Sequence, residues 1–440
     1  MYGLIDCNNF FVSCERVFDL SLAGRPVAVL SNNDGCVISR SNELKAIGVP
    51  MGMPFFQLRP LVEAHGIQIR SSNYELYADL SRRVMDVLAS QVPLVEQYSI
   101  DEAFLELRPP AGFDVAAFGT ALRERIWKWV GIPVGVGFAP TRTLAKIANH
   151  IGKKSATGVF VMPSEIMPVL AGLPVEEVWG VGRRSRDKLR RLGILTAANL
   201  AAADHQDLAR KFNVCLARTA LELRGIPALA QEDLEKPAQS LTCSRSFGRP
   251  VFDLSELREA MAYYIATAAA QLRQQNQLAS GANVFFQYVL DEHGPERDFA
   301  WGNTGATVMF DHPTAADGAM LAALAPALAS MFIPNRRYRK AGIMFIGLEN
   351  ASPRQLNLFV DQNDQRRDQL YDAVDKINRE FGRGSVFHLA QGIEKPWLMR
   401  REHLSPCFTT KWNDILTLHP GERAGIRKPG SKGPGHGAGK

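Results

Sequence analysis

Long apolar runs are missing from this sequence: no stretch approaches the ~20 consecutive apolar residues that a membrane span needs. The opening MYGLIDCNNFF has no basic segment ahead of its apolar residues, so it reads as a short buried strand and not as a signal peptide. Cysteine is sparse. The six present (Cys7, Cys14, Cys36, Cys215, Cys243 and Cys407) form no Cys-x-x-Cys pair. They are expected to be reduced thiols, mostly core filler, in a cytoplasmic protein. Charge imbalance is also small. The net charge is +6, and residues 423–440 hold five basic residues and no acid, so the rest of the chain is close to neutral. Bulk basicity is therefore no argument for a nucleic-acid partner. No internal repeat is evident, and Gly135-Val136-Gly137 lacks the third glycine and distal acid of a dinucleotide fingerprint. What remains is 440 residues, 46% hydrophobic and 22% charged, an ordinary soluble composition with room for roughly two to four domains.

Local patterns divide the chain. YGLID is a short apolar strand, followed by FFVSCERVF at helical spacing. RPVAVLS is a strand closed by the turn residues Asn32-Asn33-Asp34-Gly35. SNELKAIGV is a helix ended by Gly48, and an amphipathic helix occupies Ser71 to Leu88. QYSIDEAFLEL and PVGVGFA are strands; TRTLAKIANHI is a helix with Thr141 as N-cap. This alternation predicts an α/β sheet through about residue 165. Residues 166–235 look all-helical. Residues 240–350 follow a β-α-β-β-α-β order, with helices over Leu254–Gln275 and Ala315–Met331. Residues 351–422 have weak periodicity, and the Gly/Pro/Lys-rich stretch 423–440 is expected to be disordered.

Three acids carry the chemistry. Asp6 ends one apolar strand, and Asp101 and Glu102 lie inside another. Buried acids need partners or metals. Adjacent strand residues face opposite ways, so Asp101 and Glu102 can converge only at a bend or hairpin turn. If the strands pair, the three carboxylates gather at one sheet edge and suit two Mg²⁺ ions for phosphoryl transfer. On spacing alone, a turn cap and a solvent-facing strand edge explain them as well.

DCNNFFVSCE, SNNDGCVISRSNELKAIGV, SSNYELYADLS, YSIDEAF, GVGFAPTRTLAKIANH and VWGVGRR occur in that order, and together they resemble the Y-family DNA polymerases, above all the UmuC branch. The resemblance implies a multidomain α/β and α+β right hand. The palm would be 1–20 and 75–165, the fingers 21–74, and the helical thumb 166–235 with a helix-hairpin-helix at about 173–200. A β-α-β-β-α-β little finger would cover 240–350, and a C-terminal interaction region 351–422. It implies error-prone translesion synthesis in the SOS response to DNA damage. Asp6, Asp101 and Glu102 match the family's metal-binding carboxylates, with the Cys7 carbonyl as a further ligand for two Mg²⁺ ions. Phe11 matches the steric gate that excludes a ribose 2′-OH, although core packing fits Phe10 and Phe11 too. Lys45 and Lys153 match triphosphate contacts, with Ser39 and the backbone of Phe10, Phe11 and Val12 as further donors. Asn42 stands where other branches often carry Tyr, and its role stays open. No residue stands out as a general base; metal activation of the 3′-hydroxyl makes one unnecessary.

Gly180, Gly182, Arg183 and Arg184 would meet DNA phosphate at the hairpin, in a basic run that continues through Arg186, Lys188, Arg190 and Arg191. An ordinary tight turn between core helices is the competing explanation. Ser244, Arg245 and Ser246 would contact phosphate on the little finger, and the run around Tyr338 (Arg336, Arg337, Arg339, Lys340) either does likewise or is a solvated turn. QLNLF resembles the sliding-clamp peptide of bacterial polymerases, with Gln355, Leu356, Leu358 and Phe359 as its contacts within 355–359. The implied partners are primer-template DNA, dNTP, the sliding clamp, a UmuD′-like dimer and the RecA filament, with no membrane. Two other readings are a non-catalytic DNA-bound scaffold that recruits the clamp and another palm-like enzyme such as a nucleotide cyclase. The first needs a lost carboxylate, which the sequence does not show. The second has no use for a duplex grip.

Overall fold

The computed structural model describes residues 1–229, 239–291, 300–351, 363–382 and 384–416. Two compact units divide the chain, 1–235 with 402–440, and 236–401. The first contains β1 (Tyr2–Cys7), α1 (Phe10–Phe18), β2 (Val27–Leu30), β3 (Val37–Arg40), α2 (Asn42–Ala46), α3 (Phe55–His65), β4 (Gln68–Ser71) and α4 (Tyr74–Ala89). It continues with β5 (Val95–Gln97), β6 (Glu102–Glu106), α5 (Val115–Val130), β7 (Val134–Ala139), α6 (Arg142–Gly152) and β8 (Val159–Val161). Five short helices follow: α7 (Met167–Ala171), α8 (Arg183–Arg191), α9 (Ala197–Ala202), α10 (His205–Lys211) and α11 (Val214–Leu223).

The main sheet of this unit has the order β5-β6-β1-β7-β8. β1 lies at its centre and is antiparallel to both β6 and β7. Both faces of β1 are covered, which is why its sequence is apolar without alternation. Ile5 points into a core with Val12, Leu80 and Val136, while Leu4 faces a second core with Leu144, Ala148 and Leu200. A small sheet, β3-β2-β4, has its own core of Ala28, Leu30, Leu44 and Leu58. The α/β sheet and the all-helical stretch after it agree with the sequence pattern. QYSIDEAFLEL is not one strand: β5 and β6 form a hairpin, and the chain bends at Ser99–Asp101. Strands β3 and β4 and helices α3 and α5 are additional to the elements read from sequence. Residues 402–416 also belong to this unit. His403 exchanges hydrogen bonds with Ser71, and Phe408 stacks on Phe18 with ring centroids 4.8 Å apart.

The second unit contains β9 (Ser240–Val251), α12 (Leu254–Gln274), β10 (Gln277–Asp291), β11 (Ala300–Thr314), α13 (Asp317–Ser330), β12 (Arg337–Asn350) and α14 (Asn363–Glu380). The β-α-β-β-α-β order is as the sequence predicts. The sheet order is β11-β10-β12-β9, and α12 and α13 pack on one face over Leu257, Tyr264, Phe286, Leu324 and Phe345. Trp397, 1% exposed, closes this core against Tyr263 and Tyr264. α14 lies in the stretch read as weakly periodic. It docks through Asp375, whose carboxylate accepts two hydrogen bonds from Arg273 (2.7 and 2.8 Å). Among the described residues no helix is long and apolar enough to cross a membrane.

Candidate active site

The end of β1 gathers the acids. Asp6 pairs in register with Glu102 on one side and Gly135 on the other, and the Cys7 N–H donates to the Asp101 carbonyl (2.8 Å). The bend that the sequence argument required is present: Asp101 lies in it and Glu102 opens β6. Ser99 stabilises the bend. Its hydroxyl donates to Asp101 Oδ1 (2.6 Å) and accepts from the Asp101 and Glu102 N–H groups.

Two lysines, Lys146 on α6 and Lys153 at its C-terminal cap, neutralise two of the acids. Lys153 Nζ lies 2.6 Å from Asp6 Oδ2, and Lys146 Nζ lies 2.9 Å from Glu102 Oε2. Lys146 was not among the residues singled out from sequence. Its signal is the seven-residue spacing to Lys153, close to two helical turns, which puts both on one face of α6. Lys146 also lies over the rings of Tyr98 (4.5 Å) and Trp179 (5.2 Å), a cation–π setting that steadies the ammonium. Asn149, between the two, donates to the carbonyls of Leu4 and Gly135, so α6 is fixed across both strands. Burial lifts the Asp6 carboxyl to about 6; Lys153 pulls it down, and Glu102 and Asp101 push it up. The Cys7 thiol is pushed well above its usual range, first by burial and then by Asp6.

The donor set is all oxygen, the chemistry that Mg²⁺ prefers. Asp6, Asp101 and Glu102 come from adjoining strand ends and so share one place in the fold. Their carboxylates are turned toward Lys153, Ser99 and Lys146 respectively. Among the described residues no group of three His, Cys, Asp or Glu side chains is arranged to hold a metal ion.

A second cluster adjoins the acids. Asn9, with φ of 49° at the N-terminus of α1, bridges two segments. Its Oδ1 accepts from Lys45 Nζ (2.6 Å), and its Nδ2 donates to Asn42 Oδ1 (3.0 Å). Asn42 thus has a partner in a place that the sequence left without a role. Burial, Arg40 and Lys153 lower the pKa of Lys45, while Asp6 raises it. Ser39 is buried on β3. Of the first-helix residues, Phe10 and Val12 are in the core, at 3% and 0% exposed. Phe11 is half-buried and stacks on Tyr77, with centroids 4.6 Å and planes 14° apart.

The remaining candidates belong to other elements of the chain. Gly180 has φ of +86°, where a side chain is strained, whereas Gly182 is extended at the N-terminus of α8. Arg183 and Arg184 are exposed on the first turn of α8. Arg186 pairs with Asp187, and Arg190 with Glu176. On β9, Ser244 and Ser246 pair with Gly342 and Lys340, while Arg245 pairs with buried Ala341. The three therefore do not share one face of the strand. Arg337, Arg339 and Lys340 are on strand β12 and not in a turn. Gln355, Leu356, Leu358, Phe359 and the tail 423–440 lie outside the described residues.

Known proteins supply the family. The model of the impB/mucB/samB family matches residues 5–150, and that family's C-terminal domain matches 238–358. An IMS family HHH motif covers 163–194, and a domain of unknown function (DUF4113) covers 368–418. Protein UmuC of Salmonella typhimurium (strain LT2) is 42% identical over 95% of this chain and 100% of its own length. Protein SamB of Salmonella typhimurium is 40% identical over 94% and 99%. A solved Y-family DNA polymerase chimera of Dbh and Dpo4 shares the fold, with a TM-score of 0.61 and 20% identity over 79% of this chain and 99% of that one. The chain therefore belongs to the impB/mucB/samB family, that of its UmuC-like relatives, and has the fold of the Y-family DNA polymerases.

Proposed function

We propose that this chain extends primer termini past damaged template bases by two-metal nucleotidyl transfer, as part of the SOS response. The observation that carries this reading is the strand register that puts Asp6, Asp101 and Glu102 at one sheet end, with Lys45 and Lys153 beside them. When bound, two Mg²⁺ ions would supply activation of the primer 3′-hydroxyl and charge neutralisation at the leaving pyrophosphate. Asp6, Asp101, Glu102 and the Cys7 carbonyl would hold them.

Lys153, now paired with Asp6, would turn to the incoming triphosphate, and Lys45 would meet the same phosphates from α2. Ser39 and the backbone N–H groups of Phe10, Phe11 and Val12 would add neutral donors. Phe11 would lie under the sugar and exclude a 2′-hydroxyl. Gly180, Gly182, Arg183, Arg184, Ser244, Arg245 and Ser246 would hold the DNA backbone without reading sequence. The peptide 355–359 would recruit the sliding clamp, and a UmuD′-like dimer and the RecA filament would be the further partners.

The deciding experiment compares wild type with Asp101→Ala on an abasic template, with Mg²⁺ and all four dNTPs, with and without those two partners. Nucleotide insertion is expected to vanish while primer-template binding stays. Insertion that survives in Asp101→Ala sinks the metal assignment. Wild-type protein that binds DNA yet never extends it points to the scaffold reading. A chain lacking residues 355–359 should keep basal extension and lose stimulation by the clamp.

A further inference from the structure

Beneath Phe11 runs a buried hydrogen-bonded chain that reaches from Glu15 to Ser405, 390 residues further along the sequence. Phe11 lies face to face on Tyr77, and the Tyr77 hydroxyl donates to Glu15 Oε1 (2.6 Å). Ser405 Oγ donates to that same oxygen (3.0 Å). Ser405 is held in turn by Asn73, whose amide donates to the Ser405 carbonyl (3.1 Å), the Ser405 hydroxyl (3.0 Å) and the Pro406 carbonyl (3.2 Å). Asn73 is fully buried and caps α4, the helix that carries Tyr77, by accepting from the Leu76 N–H. The segment is anchored on both sides of Ser405. The Glu402 N–H donates to Asp34, His403 pairs with Ser71, and Phe408 stacks on Phe18.

A strap that only covered apolar surface would have no need of this arrangement. A carboxylate as buried as Glu15 must be met by donors, and two of them are the Tyr77 and Ser405 hydroxyls. The position of the Tyr77 ring is thus set from its hydroxyl end by an oxygen shared with the strap, and from its backbone end by a helix cap bonded to the strap. Discrimination against a 2′-hydroxyl is steric, so it depends on where the ring above Tyr77 rests. The geometry points to residues 402–408 as a positioning element of the sugar gate, with Ser405 fixing Tyr77 under Phe11 through the Glu15 carboxylate. This inference rests on the assignment of Phe11 as the gate.

The test uses the full chain bound to dideoxy-terminated primer-template with Mg²⁺, and reads the ratio of ATP to dATP affinity; single-turnover insertion on an extendable primer gives the same ratio for kcat/KM. Phe11→Ala is the control for the gate and should raise the ratio. Ser405→Ala and Tyr77→Phe each remove one hydroxyl from Glu15 and should raise it by about threefold to tenfold, the scale of one net hydrogen bond. Ser405→Thr should restore it, and Phe11→Ala with Ser405→Ala should show no more than Phe11→Ala alone. If Phe11→Ala moves the ratio and neither Ser405→Ala nor Tyr77→Phe does, the strap has no part in discrimination. A loss that is equal for both nucleotides also overturns the inference, because a purely structural role predicts that. If Phe11→Ala itself leaves the ratio unchanged, the gate assignment falls and takes this inference with it. Tyr77→Phe keeps the ring and its packing, so a Ser405 variant that fails to fold does not remove the test.

Discussion

Asp6 faces Gly135 across the β1–β7 ladder, and the Lys153 stem lies where a Gly135 side chain would be: a Cβ built there would come within 2.6 Å of Lys153 Cγ. Gly135→Ala is therefore expected to push Lys153 away from Asp6, weakening nucleotide binding while thermal stability changes little, because a flexible stem can move. Gly137 presents the opposite case. A Cβ there would stand 2.1 Å from the Asn149 backbone nitrogen and 2.6 Å from the Ala145 carbonyl. Backbone cannot yield as a lysine does, so Gly137→Ala should cost about 3 kcal/mol in urea unfolding. Both glycines were visible in the sequence as a pattern that failed to be a nucleotide fingerprint. Their purpose was not, since it depends on which helix crosses the strand and how closely. Glu15 gives a pH prediction. Burial pushes its carboxyl above the usual 4.5, while Tyr77, Ser405 and Arg70 pull it down and Asp19 pushes it up. An acid whose folded pKa is raised contributes stability while protonated, below the unfolded value, and loses it as pH rises through the folded pKa. The melting temperature of wild type relative to Glu15→Gln should accordingly fall as pH rises from about 4.5 toward neutrality. A difference that is flat across this range would refute it.

At the level of elements, α6 was the most readable. Thr141 caps it as expected, accepting from the Leu144 N–H, and its apolar face packs on β7 and β1. Lys146 escaped notice because a lysine in a helix is unremarkable until the partner strand supplies Glu102. The hairpin of β5 and β6 was half legible: adjacent strand residues face opposite ways, so Asp101 and Glu102 converge only at a bend or hairpin turn, but nothing local said that Ser99 would hold it. Helix α8 yields its own prediction. Arg183 and Arg184 are exposed at its start, three and four residues beyond Gly180, whose φ is positive. If they meet phosphates, replacing both with Ala should flatten the salt dependence of primer-template binding by about 2 in the log–log slope. Binding to different sequences should weaken equally. A slope equal to wild type would return this segment to an ordinary turn between core helices.

Across the whole molecule, the α/β, all-helical and β-α-β-β-α-β succession could be read because each stretch carries its own periodicity. The return of residues 402–416 to the first unit could not. Its bonds join Ser405 to Glu15 and Asn73 across 390 and 332 residues, and no local pattern announces such a partner. The second unit is continuous, 236–401, with a core of its own. A fragment of that span should unfold in a single cooperative transition in urea, monitored by tryptophan fluorescence. A non-cooperative melt would show that its core is insufficient alone.

The first unit, in contrast, is discontinuous, and that has a consequence during synthesis. When residue 235 leaves the ribosome, Glu15 and Asn73 still lack Ser405. The missing piece follows 166 residues later, roughly ten to thirty seconds at ~5–20 residues per second. Until then the hydrogen-bonded cluster under Phe11 is unfinished, so a nascent or prematurely ended chain carries every acid and lysine of the site without the strap that completes it.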